Sequence, residues 1–116
     1  MKEQLETFLS QRLPLPGIAA WAASLPDRTV LSHCYTDWFS AEQVEQLLSR
    51  LVLAANGMGY HDIQVVRLCW VFEHARIHFA LGSQGACLAL FVENRPGVMS
   101  AELESVLAGF TRLAPG

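Results

Sequence analysis

Apolar and polar positions alternate with helical spacing most clearly between residues 40 and 57. Ser40 and Gln43 have the spacing of a capping box, in which two residues satisfy each other's free backbone N–H groups at a helix start. Asn56 and Gly57 predict the end of this helix, because both residues readily adopt the left-handed conformation that closes a last turn. We therefore predict a central amphipathic helix whose apolar stripe consists of Val44, Leu47, Leu48, Leu51, Val52 and Ala55.

Before the central helix, the chain shows one helical pattern and two extended ones. Residues 3–12 have apolar positions at helical spacing and stop before Pro14, which disfavours helix in the residue that precedes it. Residues 18–24 and 29–35 are short runs of apolar or β-branched residues on either side of a turn at Pro26. The pattern predicts a first helix followed by a β-hairpin.

Three further extended segments follow the central helix. Residues 63–73 are apolar on both faces, which predicts a strand that lies between two layers. In residues 76–81, large apolar side chains alternate with polar or small ones, which is typical of a strand. The uninterrupted apolar run 86–92 predicts the most central strand. Ser100 is a candidate cap for a last helix, whose apolar stripe consists of Leu103, Val106, Leu107, Phe110 and Leu113. The predicted order is therefore helix, two strands, helix, three strands, helix.

The 116 residues are enough for one domain with its own core. Hydrophobic residues make up 52% and charged residues 16%, so either both faces of the sheet are covered or an apolar surface remains for a partner. Eight basic against 11 acidic side chains leave no electrostatic footprint for nucleic acid or an anionic membrane. The polar start predicts no signal peptide, and the longest apolar run is too short for membrane insertion.

Cysteine and histidine are the candidate ligands or nucleophiles, but their spacing favours neither metal binding nor catalysis. Cys34, Cys69 and Cys87 are odd in number and far apart, which predicts reduced thiols in the cytoplasm and no bound metal or other cofactor. His33 adjoins Cys34 on a predicted strand, where neighbouring side chains point to opposite faces and cannot form a nucleophile–base pair. Two glycine pairs, Gly57-x-Gly59 and Gly82-x-x-Gly85, lack the lysine and the strand–helix context of a phosphate loop. We expect no enzymatic activity.

Leu53 departs from the amphipathic pattern of the central helix. On a helical wheel it lies opposite Val44 and beside Gln46 and Ser49, on the face expected to meet water. A lone exposed leucine is ordinary, but Ala54 flanks this one and widens the apolar surface. The pattern favours a partner protein over this helix.

The element order and the local sequence together resemble the roadblock/dynein light chain family, including its bacterial branch. The similarity is most evident in the run Leu-Pro-Gly-Ile from Leu15 to Ile18, in the turn at Asp27, and in the strand residues that begin at Val30. Arg28 stands where members of the family often have glycine. The resemblance extends over nearly the whole chain.

This resemblance implies an α+β fold with a five-stranded antiparallel sheet in the order α-β-β-α-β-β-β-α, formed by residues 1–116 as a single roadblock-like domain. The central helix is expected on one face of the sheet and the two terminal helices on the other. Members of the family are non-catalytic homodimers or heterodimers that pair through the central helix and the strand after it. Transferred to this sequence, the predicted homodimer interface consists of Leu53, Ser49, Gln46, Arg67 and Val65.

The same resemblance implies a scaffold or regulator that binds a Ras-like small GTPase. Two alternatives remain open. An export chaperone of the type III secretion class is also small, acidic and dimeric, although that class places three strands before its middle helix and two after it. A small-ligand sensor is the other alternative, since a sheet with tryptophans can form a pocket. Trp38 and Phe39, just before the central helix, fit either a staple at the helix start or an exposed patch.

Overall fold

A computed structural model describes residues 2–13, 15–59, 67–94 and 100–113. Their secondary structure confirms the predicted order. The elements are α1 (Lys2–Arg12), β1 (Ile18–Ser24), β2 (Val30–Cys34), α2 (Ala41–Gly59), β3 (Arg67–Val71), β4 (Ala75–Leu81), β5 (Cys87–Glu93) and α3 (Ser100–Thr111), with a 3-10 turn at Ser83–Gly85 between β4 and β5. The Ser100 side chain is not among the described atoms, so its capping role stays a prediction.

The strands form one antiparallel sheet in the order β2-β1-β5-β4-β3. The apolar β5 lies at its centre, as its uninterrupted run predicts, and β2 and β3 are its two edges. Of the strand predicted over residues 63–73, residues 67–71 are confirmed, and the part before residue 67 lies outside the described residues.

Each face of the sheet packs against its own helices. Because successive side chains of a strand point to opposite faces, β1 contributes Trp21 and Ala23 to one core and Ala20 and Ala22 to the other. The first core is shared with α1 and α3, and the second with α2. This arrangement confirms the predicted layers, with the central helix on one face and the terminal helices on the other.

The start of α2 is as the sequence predicts, and its end is not. Ser40 Oγ accepts a hydrogen bond from the Gln43 N–H at 3.1 Å, and Gln43 Oε1 accepts one from the Ser40 N–H at 2.9 Å. These two bonds complete the capping box. The predicted stop at Asn56 and Gly57 is wrong, because the helix continues to Gly59. Gly57 does not adopt the positive φ by which a glycine closes a helix.

The prediction that β3 lies between two layers is wrong for the described part of the strand. Leu68 and Trp70 do pack on the α2 side, where the Trp70 ring meets Phe79 edge-on at 6.3 Å. On the other side Cys69 is exposed and the Val71 side chain is 73% exposed. The reason is that α3 packs mainly over β4 and leaves Cys69 and Val71 of this edge strand uncovered. One face of this edge strand is therefore uncovered by the described residues.

The turn between β1 and β2 holds Arg28 in the left-handed region, with a φ of 70°. Asp27 Oδ1 accepts a hydrogen bond from the Thr29 N–H at 2.9 Å, which fixes the turn and lowers the pKa of the Asp27 carboxyl. A residue with a Cβ atom costs about 1–2 kcal/mol in this conformation, whereas glycine adopts it freely.

We expect Arg28→Gly to raise the free energy of unfolding by about 0.5 kcal/mol. The relief of backbone strain exceeds the roughly 0.4–1 kcal/mol that the added freedom of glycine in the unfolded chain costs. Urea denaturation measures the change. Arg28→Ala keeps the Cβ atom and should give no gain, so equal gains from both variants would assign the effect to the side chain instead of the backbone.

Candidate functional site

An open apolar groove of about 640 Å³ lies beside α2, on the sheet face that this helix packs against. α2 packs mainly over β1 and β2, so it leaves the β4 side of this face open. The groove runs between the start of α2 and the β3–β4 turn. Its apolar lining consists of Trp38, Phe39, Leu47, Phe72, Ala75 and Ile77, and the exposed Glu73 and His74 also border it.

The sequence left open whether Trp38 and Phe39 form a staple at the helix start or an exposed patch. In the structure the two residues differ in exposure. Phe39 is half-buried and packs into the core, with its ring 5.2 Å from that of Phe91. Trp38 is 51% exposed, and its backbone N–H donates to Thr36 Oγ1 at 3.4 Å. The anchored phenylalanine therefore fixes the loop that presents the tryptophan to the groove.

Phe72 is a groove residue that sequence reasoning missed. The alternating pattern assigns it to the buried face of the strand with Leu68 and Trp70, but β3 ends before it and its side chain is 53% exposed. Its N–H donates to the Ala75 carbonyl at 2.8 Å, and its carbonyl accepts from Asn94 Nδ2 at 2.7 Å. Both backbone groups are fixed, so the exposed ring is part of the folded turn.

The structure places three of the predicted interface residues together on the exposed face of α2. Leu53 is 70% exposed, and Gln46 and Ser49 are exposed beside it. Ala54, the flanking apolar residue, is also exposed. No described residue of the same chain covers the Leu53 side chain, as the helical wheel indicates.

The two flanks of α2 face different neighbours. Glu45, on one flank, accepts a hydrogen bond from the Ser32 hydroxyl of β2 at 2.9 Å. Leu47, on the opposite flank, lines the groove, and Ala54 follows it two helical turns later. Leu47 therefore joins α2 to the groove, whereas Leu53 lies nearer the end of the helix, on its outer face.

The outer edge of β3 presents backbone groups that can bind another strand. Hydrogen-bonding residues alternate along an antiparallel pair, and the Phe72 N–H donates to the Ala75 carbonyl. The even-numbered residues of β3 therefore bond to β4. The N–H and C=O groups of Arg67, Cys69 and Val71 point away from the described sheet, which is the template that a second strand requires.

Arg67 is the predicted interface residue whose side chain already has a partner. Its Nη1 contacts both carboxylate oxygens of Glu104 on α3, the farther at 2.8 Å. Its Nε is buried without a hydrogen-bond partner in the described part of the chain. The backbone of Arg67 is thus the part that remains for pairing. Val65, the fifth predicted interface residue, lies outside the described residues.

His78 on β4 lies near this ion pair, on the sheet face that packs against α3. Burial, together with the charge of Arg76, lowers the pKa of its imidazole. Arg76 Nε donates to His78 Nε2 at 3.1 Å, which requires an unprotonated acceptor nitrogen. Arg67 and Arg76 are therefore both engaged within the chain.

The described residues contain no arrangement that favours catalysis. His33 pairs with Trp21 and Cys34 with Ala20, so the two side chains lie on opposite faces of the sheet. Burial raises the pKa of the Cys87 thiol to about 11, which keeps it protonated at neutral pH. Within the described ranges, no three His, Cys, Asp or Glu side chains are grouped to hold a metal ion. None of the described helices has the length and apolar character needed to cross a membrane.

We expect the three thiols to react with iodoacetamide in the order of their exposure. Cys69 is exposed, Cys34 is half-buried and Cys87 is buried, so the last should be modified only after denaturation. Peptide mapping by mass spectrometry gives the order, and elemental analysis should find no stoichiometric zinc. One zinc per chain, or fast labelling of Cys87 in the native protein, would contradict the prediction.

The backbone is similar to that of two solved bacterial proteins. One is a Roadblock/LC7 domain from Streptomyces avermitilis, with a TM-score of 0.67, 13% sequence identity, and coverage of 91% of this chain and 90% of that chain. The other is Myxococcus xanthus MglB, with a TM-score of 0.61, 10% identity, and coverage of 82% and 81%. No protein-family model and no curated protein matches the sequence. The chain therefore has the roadblock/LC7 fold, as its sequence suggested.

Proposed function

We propose that this chain is a non-catalytic, dimeric scaffold or regulator of a Ras-like small GTPase, acting in the cytoplasm as a single roadblock-like domain. The observation that carries the proposal is the exposed apolar area of the chain, at the groove and at Leu53, together with the outer edge of β3 in the described sheet. Exposed apolar area and an unpaired strand edge on a small protein indicate a protein partner.

A second copy of the chain is the proposed partner at the β3 edge. Antiparallel pairing of two β3 edges about a two-fold axis joins the sheets and places the two α2 helices on the same face of the joined sheet. In this arrangement the exposed Leu53 of each chain lies on the same face of the joined sheet as the groove of the other. Trp38 and Phe72 then gain apolar contacts that one chain does not supply, since each is about half exposed. Gln46 and Ser49 lie on the same side of α2 and accompany Leu53.

The GTPase is proposed from the chemistry of the chain and from its resemblance together. The sequence has no phosphate loop, so a nucleotide in the complex belongs to the partner. Its low charge leaves protein surface as the favoured ligand over nucleic acid or lipid. Among protein partners, the roadblock family resemblance selects a Ras-like small GTPase, and the shared fold supports this choice.

The two alternative functions have less support. The chaperone class has three strands before its middle helix, whereas two strands precede α2 here and three follow it. A small-ligand sensor is compatible with a groove of about 640 Å³, which is within the usual size of ligand pockets. The groove is open, however, and its lining offers few polar groups to orient a small ligand.

The test is to purify the Ras-like GTPases of the same cell and titrate each with this chain in its GDP form and with a GTP analogue. We expect one GTPase to bind in one nucleotide state with a dissociation constant of about 10 μM or lower. A changed rate of GTP hydrolysis identifies a regulator, and an unchanged rate identifies a scaffold. The chain alone should bind no nucleotide. If no GTPase binds, while a secreted effector or a small metabolite does, the GTPase assignment fails and only the dimer remains.

A further inference from the structure

We propose a second binding site at the β2 edge of the sheet, for an extended segment of a partner protein in which apolar and basic residues alternate. This edge is at the opposite end of the sheet from β3. The inference is therefore independent of both the proposed dimer and the proposed GTPase.

The backbone of β2 offers the hydrogen bonds that an added strand needs. The Tyr35 N–H donates to the Ala19 carbonyl at 2.8 Å, so the odd-numbered residues of this strand bond to β1. The N–H and C=O groups of Val30, Ser32 and Cys34 point outward and bond to no other residue of the described chain. An extended segment can pair with these groups and continue the sheet.

A cleft of about 430 Å³ borders this edge on the α1 side. Its apolar and aromatic lining consists of Leu9, Leu13, Trp21, Leu31 and Tyr35. The rings of His33 and Tyr35 meet edge-on at 4.6 Å. Three of these side chains, Leu9, Leu13 and Trp21, are themselves buried in the core. Because every second side chain of an added strand points to this face, the cleft selects apolar residues at those positions.

A second cleft, of about 610 Å³, borders the same edge on the α2 side and has a more polar lining. Asp37 lines it, and Glu45 accepts its hydrogen bond from the Ser32 hydroxyl on this face. Glu6 lines the first cleft, and no described lysine or arginine lines either one. The edge is therefore negative. Charge complementarity selects lysine or arginine at the alternate positions of the added strand.

The probe is a fluorescein-labelled peptide of alternating valine and lysine, about nine residues long so that it spans a strand. Two controls have alternating valine and glutamate, or the same valines and lysines in separate blocks. We expect the first peptide to bind with a dissociation constant of about 1–100 μM, and each control at least about tenfold more weakly. Added salt should weaken the binding, since exposed charges contribute to it.

Matched proline variants separate the two edges of the sheet. Ser32→Pro removes one outward N–H without removing a bond to β1, and should weaken peptide binding by about tenfold. Ser32→Ala controls for the lost hydroxyl bond to Glu45 and should bind nearly as well as the wild type. Cys69→Pro makes the same change at the β3 edge and should leave peptide binding unaltered.

Amide hydrogen exchange of the unmodified protein tests the same site without a substitution. Peptide binding should slow exchange at the outward amides of Ser32 and Cys34. This result does not depend on whether the proline variant folds. Equal binding of all three peptides, or weakening by Cys69→Pro but not by Ser32→Pro, would overturn the proposal. Filaments of the chain that disappear in Ser32→Pro would also overturn it, because a second copy would then occupy the edge.

Discussion

Replacement of Leu53 by aspartate is expected to raise the dissociation constant of the homodimer by roughly several hundredfold. The side chain is 70% exposed in one chain, so the fold itself loses little when it is replaced. The proposed dimer interface contains Leu53 twice, once per chain, and an apolar anchor in an interface contributes about 2 kcal/mol. Two losses give about 4 kcal/mol, and about 1.4 kcal/mol is a factor of ten. Light scattering over a concentration series measures the constant.

Val30→Asp is the matched control for this substitution. Val30 is another exposed apolar side chain, at 40%, but it lies on the opposite edge of the sheet. Its replacement should leave the dimer dissociation constant within about twofold, because it is remote from the proposed interface. Circular dichroism checks that both variants fold. A wild-type chain that is monomeric at micromolar concentration, or equal weakening by both variants, would show that the interface is wrongly assigned.

Truncation of Phe79 to alanine is expected to lower the free energy of unfolding by about 3–5 kcal/mol. Phe79 is 0% exposed in β4, in the core beneath α2, and its ring meets Trp70 edge-on. The total stability of such domains is about 5–15 kcal/mol, so the variant should be marginally folded. Phe79→Leu leaves a smaller cavity and gives an intermediate loss that urea denaturation can measure.

Phe72→Ala is the control, since it deletes the same atoms from a side chain that is 53% exposed. Within one chain it should change stability by less than about 1 kcal/mol. It should nevertheless weaken the dimer, because Phe72 lines the groove. Stability is compared in the Leu53→Asp background, where dimerisation adds no concentration-dependent term. Equal losses from Phe72 and Phe79 would place the Phe72 ring in the core of its own chain.

Sequence reasoning succeeded for the elements whose formation is local. The capping box joins Ser40 to Gln43 within one helical turn, and its two bonds form as predicted. The strand predicted over residues 18–24 is β1 with the same bounds. Leu53 is exposed as the helical wheel indicates, because the wheel depends only on helical geometry.

The open surface was harder to predict, for a physical reason. A strand covered by a partner protein has the same two-faced apolar pattern as a strand covered by its own chain. The pattern therefore predicted burial for Val71 and Phe72, which the fold leaves exposed. The position of Phe72 further depends on the amide of Asn94, which lies 22 residues away and fixes the turn. No local pattern contains that contact.

By itself, the sequence determined the order of the elements, the presence of an apolar stripe on each longer helix, and the exposure of Leu53. Each of these depends on residues that are neighbours along the chain or along one helix. The tertiary structure decided that α2 lies over β1 and β2, that the groove beside it stays open, and that β2 and β3 are the edges of the described sheet. Hydrophobic burial is non-directional, so a pattern shows which side of an element is apolar, whereas only the assembled sheet shows what covers it.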